Sequence, residues 1–429
     1  MASDFQLNHR QLYRLPWNLA DNIISWLEPT KTCNIYCEGC YSANQPASHK
    51  SLEQIQSDLD VFERFRQTDA VSIAGGEPLT HPQIVEIVRM VAQRGLKPVV
   101  NTNGHALTPE LTRDLKRAGL RGFTFHVDSM QKRPGWTGKT ELELNTLRLR
   151  FAEMAAEVGG ISCAFNATVY ERNLRDVPEI VAWARRHADI VHVVVFINYR
   201  ATMDQSFDHY VNGRKVDVQP LVYHKHSRQR SDISANEVVA EIRKRFPEFE
   251  PCAYLNGTED PKAFKWLLTL PFGVRDEMLG CAGPKFMELS QVLHHLRHGR
   301  YLGYVTPQMH RNGRLLLLLA GLDRGLRRVL GRDLLATLRN PLRLFRPLHM
   351  QSVMIIQPVD MMADGRQSMC DGCPDMTVHE GQLVWSCRLE ERLKFGTWMH
   401  TVPAARKPEV ETPAPPAPRR EEQPQPAEV

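Results

Sequence analysis

The chain has 429 residues, 42% of them apolar, with 54 lysines and arginines against 49 aspartates and glutamates. That is enough apolar material for one large buried core with a smaller unit attached, and a net charge of only +5 excludes the basic bias of a general nucleic-acid binder. The opening MASDFQLNHRQLYRLPWNLA lacks the apolar stretch of a secretory signal, and no apolar run reaches the roughly 18 residues of a membrane span. A cytoplasmic protein is therefore expected, and in a reducing compartment an odd set of nine cysteines points to metal binding or catalysis rather than disulfides.

Residues 1–18 read as a short N-terminal arm. From residue 19 to 200, β-branched runs at Ile23 to Leu27, Ala70 to Ile73, Pro98 to Asn101, Gly122 to Val127, Ile161 to Thr168 and Ile190 to Ile197 predict six strands. Helical periodicity fills the intervals 51–65, 81–95, 108–119, 141–159 and 173–187, several of which open on Ser, Thr or Asn as a cap. Strict alternation predicts an α/β fold of parallel βα units, in which reactive groups collect at the C-terminal ends of the strands.

Those strand ends carry unusual residues. After the first strand comes CNIYCEGC, which groups Cys33, Cys37 and Cys40. Three local thiols without a fourth fit structural zinc poorly, because structural zinc takes four ligands. They fit an iron-sulfur cubane with one iron left open for a small molecule, and a turn with incidental thiols is the bland alternative. After the second strand, Gly75 and Gly76 can admit close backbone approach, and Glu77 and Pro78 complete a polar turn. NTNG follows the third strand, HVDS the fourth, and FNATV lies on the fifth. Each of these is also what an ordinary turn contains. Cys163, alone on the fifth strand, reads as a core thiol.

Residues 201–295 read as a polar connection followed by one amphipathic helix. Residues 296–348 hold eleven arginines and two aspartates interleaved with leucines. That pattern suits either a helical cap packed on the barrel mouth or an amphipathic surface resting on anionic membrane; few aromatics are present for stacking on nucleic acid. Residues 349–400 contain MCDGCPDMTVHEGQLVWSCRLEERLKFG, a CxxC turn followed by a hairpin that returns a further Cys, the shape of a compact metal knuckle. Cys370, Cys373 and Cys387, with Cys281 or Cys252 as fourth ligand, are expected to hold a second 4Fe-4S cluster; zinc or plain core thiols are the alternatives. Residues 401–429, rich in Pro, Glu and Ala, are expected to be disordered.

The CxxxCxxC loop after strand one and the GGEP turn after strand two resemble the radical SAM superfamily. The resemblance covers roughly residues 19–200 and implies a partial (β/α)6 barrel of the TIM type. It further implies a 4Fe-4S cluster on Cys33, Cys37 and Cys40, S-adenosylmethionine at the open iron, and reductive cleavage to a 5'-deoxyadenosyl radical that abstracts a substrate hydrogen. In that family the GGEP turn meets the methionyl amine, here Gly75, Gly76, Glu77 and Pro78. Asn103, Asp128, Ser129 and Asn166 become candidates for ribose and carboxylate contacts. The family places an aromatic residue before the third cysteine, where this chain has Gly39, so Tyr41 or Tyr36 is expected beside adenine.

The C-terminal hairpin resembles the auxiliary-cluster extensions called SPASM or twitch domains, without the full seven-cysteine spacing. FHVDSMQKRPGW, FINYR and FPEFEPC echo a lipid-directed branch similar to tetraether lipid synthase, so a lipid or other hydrophobic small molecule is the expected substrate and peripheral contact at the inner membrane face a possible location. A peptide-modifying maturase and a non-catalytic iron-sulfur or zinc module are the alternatives. A one-electron donor such as flavodoxin or ferredoxin is implied, and no nucleic acid.

Overall fold

The computed structural model describes residues 5–201, 206–219, 221–222 and 230–404. A ten-stranded sheet organises it. In chain order its strands are β1 (Tyr13–Arg14), β2 (Ile24–Leu27), β3 (Ala70–Ile73), β4 (Lys97–Thr102), β5 (Gly122–His126), β6 (Ser162–Val169), β7 (Val193–Asn198), β8 (Ala253–Leu255), β9 (Trp266–Thr269) and β10 (Ser352–Ile356). Across the sheet the order is β1-β8-β9-β10-β7-β6-β5-β4-β3-β2. From β2 to β7 every neighbouring pair is parallel, as the alternation of strand and helix requires.

The helices between these strands are α1 (Leu52–Phe65), α2 (Ile84–Gln93), α3 (Pro109–Arg117), α4 (Asn145–Glu157) and α5 (Val177–Arg186). Ser51 closes α1 with a full capping box and Thr108 caps α3, which stabilises helix starts by about 1 kcal/mol each. Their apolar faces bury Ile55, Leu59, Ile87, Val91 and Leu115 against the outer face of the sheet.

The inner face encloses a cavity of about 690 Å³. Its walls take alternate residues of successive strands: Asn101 and Val99 on β4, Asn166, Ala164 and Ser162 on β6, Ile197, Val195 and Val193 on β7, and Ile356, Met354 and Ser352 on β10. Alternate-residue lining by β2, β4, β6, β7 and β10, with Ser72 of β3 and residues of β5 and β9 completing the wall, means the sheet is curled into a barrel with its inner positions facing one space.

Four expectations about the chain outside the six strands are corrected here. The stretch 201–295 is more than a connection, since β8 and β9 join the barrel sheet, and the stretch 349–400 is more than a cysteine hairpin, since β10 adds a seventh parallel strand beside β7. These strands are too short, and too distant in sequence from their partners, to show as a βα repeat. The arm before residue 19 contributes the edge strand β1, parallel to β8. The tail from residue 401 begins in a strand (His400–Pro403) paired antiparallel with Phe207–Val211; the expectation of disorder beyond it concerns residues outside the described ones.

The Arg/Leu-rich region is the fifth correction. It covers the N-terminal end of the barrel, not the mouth at the C-terminal ends. The helix α6 (Ala235–Arg245) packs outside the barrel on α5, whereas α7 (Pro284–His298) lines the cavity with Phe286 and Met287. Residues after α7 then bond to atoms that precede the strands: Arg300 Nη1 donates to Thr68 O (3.2 Å), Gly303 N to Asp69 Oδ2 (3.1 Å) and Tyr304 Oη to Arg121 O (2.7 Å). The opposite end is already occupied by the cysteine loops.

Candidate functional site

The loop from residue 28 to 48 emerges from β2 and is pinned to the next strand end by backbone hydrogen bonds. Gly76 N donates to Thr30 O (2.8 Å) and Glu77 N to Thr32 O (2.7 Å). Gly75 has φ +99°, and a Cβ at Gly75 or Gly76 would lie inside van der Waals contact of the carbonyl oxygens of Thr30 and Thr32. The paired glycines are thus required by the approach of one loop to the other, which sequence reasoning had assigned to a ligand. Gly76→Ala should therefore separate the two loops. The expected result, read by thermal unfolding and by binding of S-adenosylmethionine to the reconstituted protein, is loss of binding with a lowered Tm.

Glu77 turns inward and is buried. It accepts hydrogen bonds from Thr102 Oγ1 (2.5 Å), Asn103 N (2.7 Å) and Leu79 N (3.0 Å). Burial pushes its carboxyl above the usual range despite these donors. Its place in the site is to tie the GGEP turn to the end of β4. Asn103 Nδ2 in turn donates to Asn34 Oδ1 (2.8 Å) and stands 3.9 Å from Cys33 Sγ.

The three thiols share the top of the barrel. Cys33 N donates to Asn44 Oδ1 (2.9 Å), and Cys40 Sγ donates to Ser42 O (3.3 Å). Burial raises Cys33 and, more strongly, Cys37, whose thiol also feels the neighbouring Cys40, Asp128 and Cys33. Mutual repulsion among thiolates at short range is what a cationic cluster would relieve. Among the described residues no three His, Cys, Asp or Glu side chains converge on a single point as one metal ion demands. A cubane needs no such convergence, because each thiolate meets its own iron.

Asp128 is buried and accepts from Met130 N (2.8 Å) and Thr168 N (3.3 Å) while sharing a 2.9 Å hydrogen bond with His126 Nε2. Burial acts to raise its carboxyl, but the bond and charge of His126 and the two amides outweigh it and hold Asp128 below its ordinary value. Ser129 N donates to Glu141 Oε1 (2.8 Å), and Glu141 forms a fully buried ion pair with Arg148 at 2.5 Å. The Asp128 carboxylate and the Ser129 backbone N–H are therefore engaged in the protein's own network. Asn166 differs: its Oδ1, like the Nδ2 of Asn101 one strand pair away, is buried without a hydrogen-bond partner and lines the cavity. Unpaired buried amide atoms cost about 1–3 kcal/mol each, and a polar ligand in the barrel would satisfy them.

Tyr41 and Tyr36 have different fates. Tyr36 is exposed, with Lys132 over its ring. Tyr41 donates through Oη to Gly75 O (3.4 Å) and accepts from Trp26 Nε1 (3.1 Å), so it braces the glycine turn. Beside Gly39, whose φ is +69°, a Cβ would meet the ring of Tyr199 at 2.7 Å. Tyr199 packs on Tyr170 with ring centroids 5.0 Å apart, and Tyr170 Oη donates to Glu38 O (2.6 Å). The aromatic surface next to the third cysteine is thus supplied by the ends of β7 and β6. The sequence signal was the glycine itself, which leaves room for a ring from elsewhere.

The C-terminal knuckle gathers Cys370, Cys373 and Cys387 around the antiparallel hairpin of Met376–His379 and Gln382–Trp385. Cys370 and Cys387 both lie close enough to act on the buried Cys373, whose thiol is raised first by its hydrogen bond with Cys370 and then by burial. Cys370 bridges to Gly257, just beyond β8, and Cys252 directly precedes β8. Cys252 is fully buried and Cys281 nearly so; they neighbour one another, and Cys281 Sγ donates to Glu248 O (3.5 Å). Cys163 is likewise in the core.

The knuckle reaches the first thiol loop directly. Lys31 Nζ pairs with Glu28 (3.2 Å) on its own loop and with Glu390 (3.0 Å) at the start of α9 (Leu389–Phe395), and Ala43 N donates to the same Glu390 Oε1 (3.1 Å). Asp375, beside Cys373, lines the barrel cavity with Oδ1 unpartnered. Burial pushes its carboxyl up to about 7, against the pull of Arg66.

Against known proteins, the family model of the radical SAM superfamily matches residues 27–184. The AdoMet-dependent heme synthase of Methanosarcina barkeri is 28% identical over 196 residues, 44% of this chain and 54% of that protein. The GTP 3',8-cyclase of Geobacter sulfurreducens is 29% identical over 208 residues, 44% of this chain and 60% of that protein. The chain thus spans little more than half the length of these two relatives. Among solved structures, SuiB of Streptococcus suis bound to S-adenosylmethionine aligns with a TM-score of 0.37 at 15% identity, covering 53% of this chain and 47% of SuiB. Residues 27–184, which contain both the three-thiol loop and the glycine turn locked against it, constitute a radical SAM domain, the fold of a superfamily of enzymes.

Proposed function

We propose that the protein is a radical SAM enzyme acting on a hydrophobic substrate held inside the barrel. Cys33, Cys37 and Cys40 would hold a 4Fe-4S cluster, and the carbonyls of the Gly75–Pro78 turn together with Asn101 and Asn166 would hold S-adenosylmethionine. When bound, these groups supply one-electron cleavage of the sulfonium and hydrogen-atom abstraction. The chain's own residues position the reactants: Glu77 and Tyr41 fix the glycine turn, and the barrel wall excludes water from the space below it.

The observation that carries this reading is the cavity. Its walls are mostly apolar, with Val193, Val195, Met354, Leu268 and Leu270 among them; Trp26, Asn101 and Asn166 stand toward the C-terminal strand ends, and Lys97, His294, Arg297 and His298 toward the opposite end. An apolar, elongated substrate fits such walls, and a lipid is the class they favour. Cys370, Cys373 and Cys387 would hold an auxiliary cluster, and their hairpin leaves peptide modification as the second reading.

The test is anaerobic reconstitution with iron and sulfide, followed by dithionite and S-adenosylmethionine. Formation of 5'-deoxyadenosine is the expected result, rising when lipid extract is supplied and staying level with peptide pools. Protein that carries iron yet neither binds nor cleaves S-adenosylmethionine would overturn the reading in favour of a metal-binding module.

A further inference from the structure

Among the described residues eighteen large apolar side chains are exposed, and thirteen of them fall between Val292 and Phe345. Scattered exposed leucines need no explanation, but such concentration does. They lie on α7, on the turn 307–311, and on a set of elements that pack on one another, the helical turns 313–321, α8 (Arg324–Arg339) and the turn 341–345. On α8 the inward positions are Leu326, Val329 and Asp333, while Leu334, Leu335 and Leu338 point outward. Leu318 is 84% exposed and Phe345 84%.

Charge gives the surface a sign. Residues 296–348 contain no lysine or glutamate. Both aspartates are buried and spent: Asp323 caps α8, and Asp333 binds Arg314 and Arg343. Arg297, Arg311, Arg324, Arg327, Arg339 and Arg346 are exposed and have no ion-pair partner among the described residues. Exposed leucines rimmed by unneutralised arginines match an anionic lipid surface, where apolar burial and charge attraction add. No described helix is long and apolar enough to cross a membrane, so the face would lie on the bilayer.

The same face opens into the barrel. Leu293, Arg297, His298 and Met309 are exposed and also line the cavity, and the cavity continues from them past Leu319, Val193 and Val195 to Asn166 at the far end. The cover over the N-terminal end of the barrel is thus also its doorway.

We propose that residues 292–346 dock the protein on anionic membrane and that an acyl or other long apolar chain enters the barrel there, from the end opposite the thiols. The proposal deepens the hydrophobic-substrate reading above and rests on it for the use of the chain once inside; docking itself is independent of that chemistry.

The experiment uses the anaerobically reconstituted 429-residue chain and sedimented vesicles of phosphatidylcholine alone or with about 30% phosphatidylglycerol. Binding is expected to the mixed vesicles, to weaken in high salt, and to fall more than about tenfold in Leu315→Glu/Leu318→Glu/Phe345→Glu, whose three sites are solvent-facing. The variant should keep the wild-type Tm and 5'-deoxyadenosine formation without substrate. Phosphatidylglycerol brominated on its acyl chain should quench tryptophan fluorescence less once Trp17 and Trp266, which line the cavity, are both replaced by Phe. Wild-type protein that stays off both vesicles, or a stable dimer that the three glutamates dissolve, overturns docking. Vesicle binding with quenching indifferent to Trp17 and Trp266 overturns entry. Binding without any 5'-deoxyadenosine leaves docking in place and removes the radical reading.

Discussion

Alanine at Cys33, Cys37 and Cys40 together should abolish 5'-deoxyadenosine formation and lower bound iron by about four per chain. The loss is complete rather than partial because no other thiol can substitute: the nearest alternatives belong to the knuckle at Cys370, Cys373 and Cys387, which is tied to Gly257 and to its own hairpin. The fold should survive, since Cys33 and Cys37 are only partly buried and Cys40 is exposed. The complementary variant, alanine at the three knuckle cysteines, should remove a second group of about four irons if that site holds a cubane and a single zinc otherwise. Metal analysis and single-turnover product assays on both variants separate the two sites. Residual cleavage in the first variant would mean that the thiol loop is not the seat of the chemistry.

Replacing Arg148 with Met should destabilise the protein by about 3–5 kcal/mol, because it strands a buried carboxylate. Arg148 and Glu141 are both fully shielded from solvent, 2.5 Å apart, and the guanidinium also donates to Val127 O (2.7 Å) and Glu141 O (2.8 Å). Glu141 is the anchor of the loop after β5 through Ser129 N, and of the turn after β6 through Asn173 Nδ2 (3.0 Å). Stability and binding of S-adenosylmethionine should therefore fall together in denaturant titrations and ligand-binding assays of the same samples. Pairing the change with Glu141→Leu removes the stranded charge and should recover part of the stability, although the two loops stay unanchored and binding stays weak. A single variant as stable as wild type would show that the pair is dispensable.

The six parallel strands were legible because buried β-branched runs alternate with helices, two of which, α1 and α3, open on a capping Ser or Thr, and the structure moves the strand bounds by no more than three residues. Cys33, Cys37 and Cys40 were legible from spacing alone, and the glycine turn from its place after a strand. What stayed hidden depends on contacts distant in sequence. The strand Ser352–Ile356 looks like any short apolar run until it is laid beside Val193–Ile197. Tyr199 could not be assigned to the third cysteine, since 159 residues separate it from Cys40 and only the missing Cβ of Gly39 marks the space. His126 sits in a plain strand and gains meaning from Asp128 and Thr168 around it. The Arg/Leu segment declared its composition but not which end of the barrel it closes.

The order in which the sheet is assembled has a consequence for how the chain can be handled and made. Six strands are complete by residue 198, but the seventh parallel strand arrives only at residue 352, and until then β7 presents an unpaired edge of Val193, Val194, Val195, Phe196 and Ile197. An apolar edge of this kind is a template for pairing with other chains. A piece of the chain that ends at residue 198 would therefore keep that edge open, and during synthesis the nascent barrel waits some 150 residues for its own strand, an interval in which the edge is exposed to aggregation.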